Sequence, residues 1–230
     1  MQNLRAIWAF AAERDADLPA CPTARLRRQW YQIHRRERIV RADDLSKFYA
    51  AVTDLSPVAR DFLLLLLFTG LRKTEAAGLT WGDIDFTERV IRIPAERTKP
   101  GRQLSIPMCD FVQSLLVARR AVGRAELVFP PRAGADRIDA KHPLRKVAAA
   151  SGVEVSAHDL RRTFTTVAEG CDVSPIALRA LINHSVGGDV TSNYVVLSAE
   201  RLRAPAQAIC DKLKSLCQVE PPAAGVVAIG

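Results

Sequence analysis

The residues that could do chemistry concentrate between positions 158 and 194, in the run HDLRRTFTTVAEGCDVSPIALRALINHSVGGDVTSNY. It carries two imidazoles, His158 and His184, a guanidinium, Arg161, and a phenol, Tyr194. His158 and Arg161 stand three apart, so they share a face if the chain is helical there. Such a set can neutralise a phosphate and present a nucleophile to it. Upstream, Arg72 and Glu75 repeat the three-residue spacing, which lets the carboxylate hold the guanidinium in place.

These side chains need elements to position them. Residues 160–168 contain neither Gly nor Pro and read as helix, with His158 as its cap and Asp159 strengthening its N-terminus. Gly170 stops it, and Ser174-Pro175 opens a second helix carrying Ile176, Leu178, Leu181 and Ile182, which ends just before His184. Gly187-Gly188 then breaks the chain ahead of Tyr194. Further back, Asp43 and Asp44 are expected to cap a helix over 43–53 whose apolar face is Leu45, Phe48, Tyr49 and Val52. Ser56-Pro57 starts a helix that carries a leucine run to Phe68; Thr69-Gly70 ends it, and 71–79 reads as a short helix bearing Arg72. Residues 83–86 and 90–96 alternate like strands around a turn at 87–89, and 104–108 adds a third strand after a turn at 98–102. Lys99 falls at that hairpin tip. Helix is expected at 109–121, 141–151 and about 198–217, with 127–130 extended. The fold class is therefore α+β, mostly α-helical, with one small three-stranded antiparallel sheet.

Composition narrows the classes. The chain has 230 residues, 48% hydrophobic and 25% charged, the balance of a globular protein with room for a substantial core. Its net charge of +8 favours polyanionic partners, although an Arg-rich proteome would give the same figure. Five cysteines without a CxxC pair argue against a disulfide framework or a zinc site and for a reducing, cytoplasmic setting. FLLLLLF at 62–68 is too short to cross a bilayer and reads as a buried helix, so no membrane partner is expected. Near the N-terminus, Leu4, Ile7, Trp8 and Ala11 have helical spacing and need a partner surface. Residues 25–41 mix seven arginines, among them Arg35, Arg36 and Arg38, with Trp30 and Tyr31. That mixture suits a strand crossing a nucleic-acid backbone, and equally a solvated linker with two tucked-in aromatics.

Taken in order, TGLR-x-x-E at 69–75, a hairpin TK at 98–99, H-x-L-R at 158–161, His184 and Tyr194 resemble the catalytic domain of the tyrosine recombinases, the phage-integrase family. The resemblance covers roughly residues 40–215 and includes LR-x-P-x-Q-x-I at 202–209. It implies a domain plan in which 1–41 is a remnant of the last helix and basic linker of an N-terminal DNA clamp, 42–217 the catalytic domain and 218–230 a mobile tail. It implies that Tyr194 attacks a DNA phosphodiester to leave a 3′-phosphotyrosyl link, with Arg72 and Arg161 on the non-bridging oxygens. A phenol with a reference pKa of about 10 needs a base, a role that falls to His158; His184 donates to the phosphate and Lys99 protonates the departing oxygen. Lys73, Arg102 and Arg162 join Arg35, Arg36 and Arg38 as candidate DNA contacts. No metal or cofactor is implied. The implied partners are double-stranded DNA and further copies of the chain, tetrameric on DNA and monomeric in solution. One departure stands out: Asn183 precedes His184 where the family usually has glycine.

Duller assignments exist for each residue, and other functions compete. Arg162 rivals Arg161 but is off the spacing from His158, which puts it on the outer face; Lys73 follows Arg72 directly and points elsewhere. Tyr49 fits an apolar helix face and Tyr31 lies in the basic linker, so neither suits the nucleophile that the resemblance assigns to Tyr194. A helix-turn-helix regulator would use 158–184 but leaves Arg72, Lys99 and Tyr194 without a purpose. A type IB topoisomerase shares the chemistry, and a truncated, recombination-incompetent integrase would keep the site without the clamp. Leu202, Ile209 and Leu213 on the last helix could face a neighbouring protomer or fold back on their own domain.

Overall fold

The structure is a computed structural model; it describes residues 2–23, 38–123, 125–183 and 198–219. The chain divides into two compact units, residues 1–37 and 38–230. In the first, helix α1 (Gln2–Ala12) is tied to the segment that follows it by Arg5, which donates to the Thr23 carbonyl at 2.6 Å. Leu4, Ile7 and Phe10 on α1 are exposed. Trp30, Tyr31, Arg35 and Arg36 lie outside the described residues, as does the tail beyond 219.

The second unit is built around α3 (Pro57–Thr69). Every residue from Phe62 to Thr69 is buried, so this helix is apolar on all sides and must be wrapped by others. Its neighbours are α2 (Leu45–Thr53), α5 (Asp110–Val122), α7 (Ala157–Glu169) and α9 (Ala199–Cys217). Two of the buried charges, Asp61 and Arg119, satisfy one another. Arg119 donates to Asp61 at 3.0 Å and to the Val128 carbonyl at 2.6 Å, which also fixes the extended residues expected at 127–130. The sheet has the order β1-β2-β3, all antiparallel: β1 is Ile84–Asp85, β2 Val90–Ile93 and β3 Leu104–Pro107. Among the described residues no helix is long and apolar enough to cross a membrane.

Several local expectations need correction. Asp44 makes no side-chain cap; residues 42–44 form a 3-10 turn and α2 begins at Leu45. The helix expected over 71–79 is only α4, Lys73–Ala77, because Gly70 adopts a left-handed φ of 64° and the chain leaves it extended. The second strand stops at Ile93, and 95–97 turn into a 3-10 helix at the start of the hairpin loop. On α8 (Pro175–Leu181) Ser174 caps as expected, accepting from the Ala177 N–H at 3.2 Å, but Ile176 is exposed rather than core. On α9 the face made by Leu202, Ile209 and Leu213 is fully used within its own domain, packed against β3, α2, α7 and α8. In this chain α9 thus folds back on its own domain.

Gly70, the residue that ends α3, lies against Phe164 of α7. A Cβ there would lie 2.5 Å from the Phe164 ring, and the positive φ disfavours any other residue. Gly70→Ala is therefore expected to cost about 2–5 kcal/mol, from left-handed strain together with overpacking. Chemical unfolding of the two proteins measures this directly.

Candidate active site

The site is assembled where three chain turns meet: the end of α3, the start of α7 and the end of α8. Helix α7 is launched by a capping box rather than by His158. Ser156 accepts from the Asp159 N–H at 3.4 Å while Asp159 accepts from the Ser156 N–H at 2.8 Å. His158 is thus the second residue of the helix and its imidazole is released from capping. Asp159, buried, also gathers Arg38 at 3.7 Å and Arg162 at 3.8 Å. This hub was invisible in the sequence, where Asp159 looked like an ordinary first-turn acid.

One turn into the helix, Arg161 is 8% exposed, and its guanidinium is held by backbone at two points. One terminal nitrogen donates to the Gly70 carbonyl at 2.7 Å and the other to the Ile182 carbonyl at 2.5 Å. Arg72 caps the N-terminus of α4. Its backbone N–H and its guanidinium both donate to Glu75, at 3.0 and 2.9 Å, and its second terminal nitrogen donates to the Asn183 carbonyl at 3.1 Å. Glu75 is buried, so the expected carboxylate support for Arg72 is present in the geometry. Two consecutive carbonyls, 182 and 183, therefore bring the two arginines side by side.

Burial, and then the neighbouring Arg72, press the Arg161 pKa down to about 10 against the opposing pull of Glu75. The group remains cationic at neutral pH, in a place that disfavours its charge. An arriving anion would relieve that penalty. His158 lies at the surface but its ring is partly shielded. That shielding, with the positive charges of Arg162, Arg161 and Arg72, outweighs the pull of Asp159 and lowers its pKa from the ordinary value. That shift favours the neutral imidazole, the form that can accept a proton. Arg162→Gln removes a positive charge facing the ring and also frees Asp159 to act on it. The His158 pKa is then expected to rise, as read by NMR titration of the imidazole, and an unmoved value would contradict this electrostatic account.

The remaining assignments fall as follows. Lys99 is exposed in the β2–β3 loop, and Arg102 is exposed at the far end of the same turn. Lys73 points away from Arg72 and pairs with Asp139 at 3.3 Å. Arg162 sits on the outer side of α7, 31% of its side chain exposed. His184 and Tyr194 lie outside the described residues. Asn183 was noted in the sequence only as a departure, yet its φ of 47° is left-handed, a conformation glycine takes freely and asparagine tolerates better than most residues. The sequence also hid a cluster. Cys109, Asp110 and Cys210 bring their ligating atoms within 4.8 Å of one another because α9 returns to the start of α5. Lys214 already sits 2.9 Å from the Asp110 carboxylate, which occupies that group with a cation.

This fold is that of a known class. The profile of the phage integrase family matches residues 38–201, and the chain belongs to that family. Among curated relatives it is 28% identical over 160 residues to the prophage integrase IntF of Escherichia coli, covering 66% of this chain and 34% of that one. It is 29% identical over 153 residues to the tyrosine recombinase XerA of Thermococcus kodakarensis, covering 63% and 53%. The chain thus spans between a third and about half of the length of these relatives. Among solved structures, the integrase from mycobacterium phage Brujita superposes with a TM-score of 0.60 at 20% identity, covering 93% of this chain and 74% of that one. A lambda integrase from a tetramer bound to a Holliday junction gives 0.62 at 18%, covering 82% and 58%. These superpositions establish the fold: an α+β, mostly helical integrase catalytic core with a small three-stranded antiparallel sheet.

Proposed function

We propose that this chain carries the catalytic part of a site-specific DNA recombinase, residues 42–217 forming the catalytic domain. The observation that supports this most is the pair Arg72 and Arg161, fixed by Glu75 and three backbone carbonyls, with Arg161 buried at a cost that a phosphate would offset. Two guanidinium forks can meet both non-bridging oxygens of a phosphodiester as charge builds on them. Tyr194 then attacks the phosphorus, its proton passing to His158. The bond from phosphorus to the 5′-oxygen breaks, Lys99 supplies the proton that oxygen needs, and His184 donates to the phosphate. The product is a 3′-phosphotyrosyl link and a free 5′-hydroxyl. Attack by a 5′-hydroxyl from a second strand reverses each step, so one ester is exchanged for another and no ATP is consumed. Double-stranded DNA and a tetramer of protomers on it are the proposed partners, and the bacterial or phage-infected cytoplasm the proposed setting.

The test is a trap. A nicked duplex carrying a candidate core sequence loses its short 5′-hydroxyl product after cleavage and cannot be rejoined. Incubation in chelator followed by an SDS gel is expected to show a slow-migrating protein–DNA adduct. DNA binding by gel shift without any adduct would refute the catalytic reading.

A further inference from the structure

We infer that Asn183 is a positioning residue that holds the Lys99 hairpin against the arginine pair. The inference rests on the catalytic reading above and extends it to a residue with no assigned role. Lys99 sits in the loop 94–103 between two attachment points. Before it, Arg97 pairs with Asp83 and donates to the Gly78 carbonyl at 2.7 Å, fixing the entering limb to the end of α4. Directly next to it, buried Thr98 closes the turn: its hydroxyl donates to the Arg102 carbonyl at 2.7 Å and accepts from the Arg102 N–H at 3.1 Å. The leaving limb is met by Asn183, whose side-chain amide donates to that same Arg102 carbonyl at 3.5 Å.

The backbone of Asn183 does a second job at the same time, since its carbonyl accepts from Arg72 at 3.1 Å. A single residue thus contacts both the group that binds the phosphate and the loop that carries the general acid. Glycine would adopt the φ of 47° without strain and would keep the carbonyl. What glycine cannot supply is the amide. The side chain therefore explains why a strained residue stands here, and a long bond of this kind trims the freedom of an exposed loop without freezing it. Placement matters for the acid because proton transfer requires hydrogen-bond reach to the leaving oxygen.

Asn183→Gly separates positioning from folding, because it removes backbone strain while deleting the amide. On an ordinary nicked duplex its cleavage is expected to be about 10-fold slower than wild type, the scale of a modestly misplaced acid. On a duplex whose bridging 5′-oxygen is replaced by sulfur, the departing thiolate needs no proton, and Asn183→Gly should cleave at the wild-type rate. Lys99→Ala should show the same pattern more strongly. Hydrogen–deuterium exchange should show the amides of 94–103 exchanging faster in Asn183→Gly. Equal slowing on both substrates, or no slowing on either, would overturn the inference. If wild type forms no adduct on either substrate, the catalytic reading fails by itself. The positioning claim is then decided by the exchange data, and an unchanged loop refutes it.

Discussion

Tyr194→Phe is expected to form no covalent adduct with the nicked duplex while shifting it in a gel as wild type does. Phenylalanine keeps the ring and loses only the oxygen, so binding and folding should survive and the nucleophile alone should vanish. The alternatives are weak on physical grounds. Tyr49 lies on α2 packed against the core, and burial, with a smaller contribution from Cys217, raises its phenol above the ordinary value despite the opposing Arg60. A phenol made harder to ionise is a poorer nucleophile at neutral pH. Tyr49→Phe should therefore leave the adduct intact. Tryptic mapping of the wild-type adduct to the peptide containing Tyr194 completes the test, and an adduct that persists in Tyr194→Phe would overturn the assignment.

Arg161→Ala carries the second large effect. Loss of one preorganised donor to a developing oxyanion costs about 10²–10³-fold, and a cation buried beside its partner belongs at the upper end of that range. The substitution also orphans the Gly70 and Ile182 carbonyls, at about 1–3 kcal/mol for each group left buried and unpaired. A fall in thermal stability should thus accompany the loss of cleavage. Arg161→Lys separates the two effects. A lysine keeps the charge but its point ammonium cannot bridge two carbonyls and a phosphate in one plane, so rescue of cleavage should be small. Inorganic phosphate or duplex DNA should raise the melting temperature of wild type more than that of either variant, because the bound anion offsets the penalty on Arg161. Equal stabilisation of all three proteins would remove Arg161 from the anion site.

The sequence made the reactive set legible because spacing is local information. His158 and Arg161, three apart, do share one end of a helix, and Glu75 does grip Arg72. The leucine run read as a buried helix, and the three strands appeared in order with short turns. What failed depended on backbone states or on distant partners. Arg72 seemed to lie within a helix because TGLRKTEAAGL has helical composition; the left-handed Gly70 moved it to the cap, where Glu75 can reach both its backbone and its side chain. His158 looked like a cap, although Ser156-x-x-Asp159 has the capping-box spacing and it is that box that starts the helix. The carbonyls of Ile182 and Asn183 belong to residues that carry no catalytic group, so no motif could flag them. Cys109 and Cys210 are 101 positions apart in the sequence and meet only through the return of α9.

That return has a consequence for how the domain comes into being. Helix α9 supplies Leu202, Ile209, Cys210 and Leu213 to the same interior as Phe48 and Val52 of α2, elements at opposite ends of the unit. Pairings this distant in sequence are slow to form and cannot reward the chain until α9 exists. During synthesis, the interior stays open until residue 217 has left the ribosome, and a chain that folds as a unit closes only then. A nascent polypeptide would already have exposed Arg72 and Arg161, yet the compact support for both would still be incomplete. The compact support for both arginines therefore waits on α9.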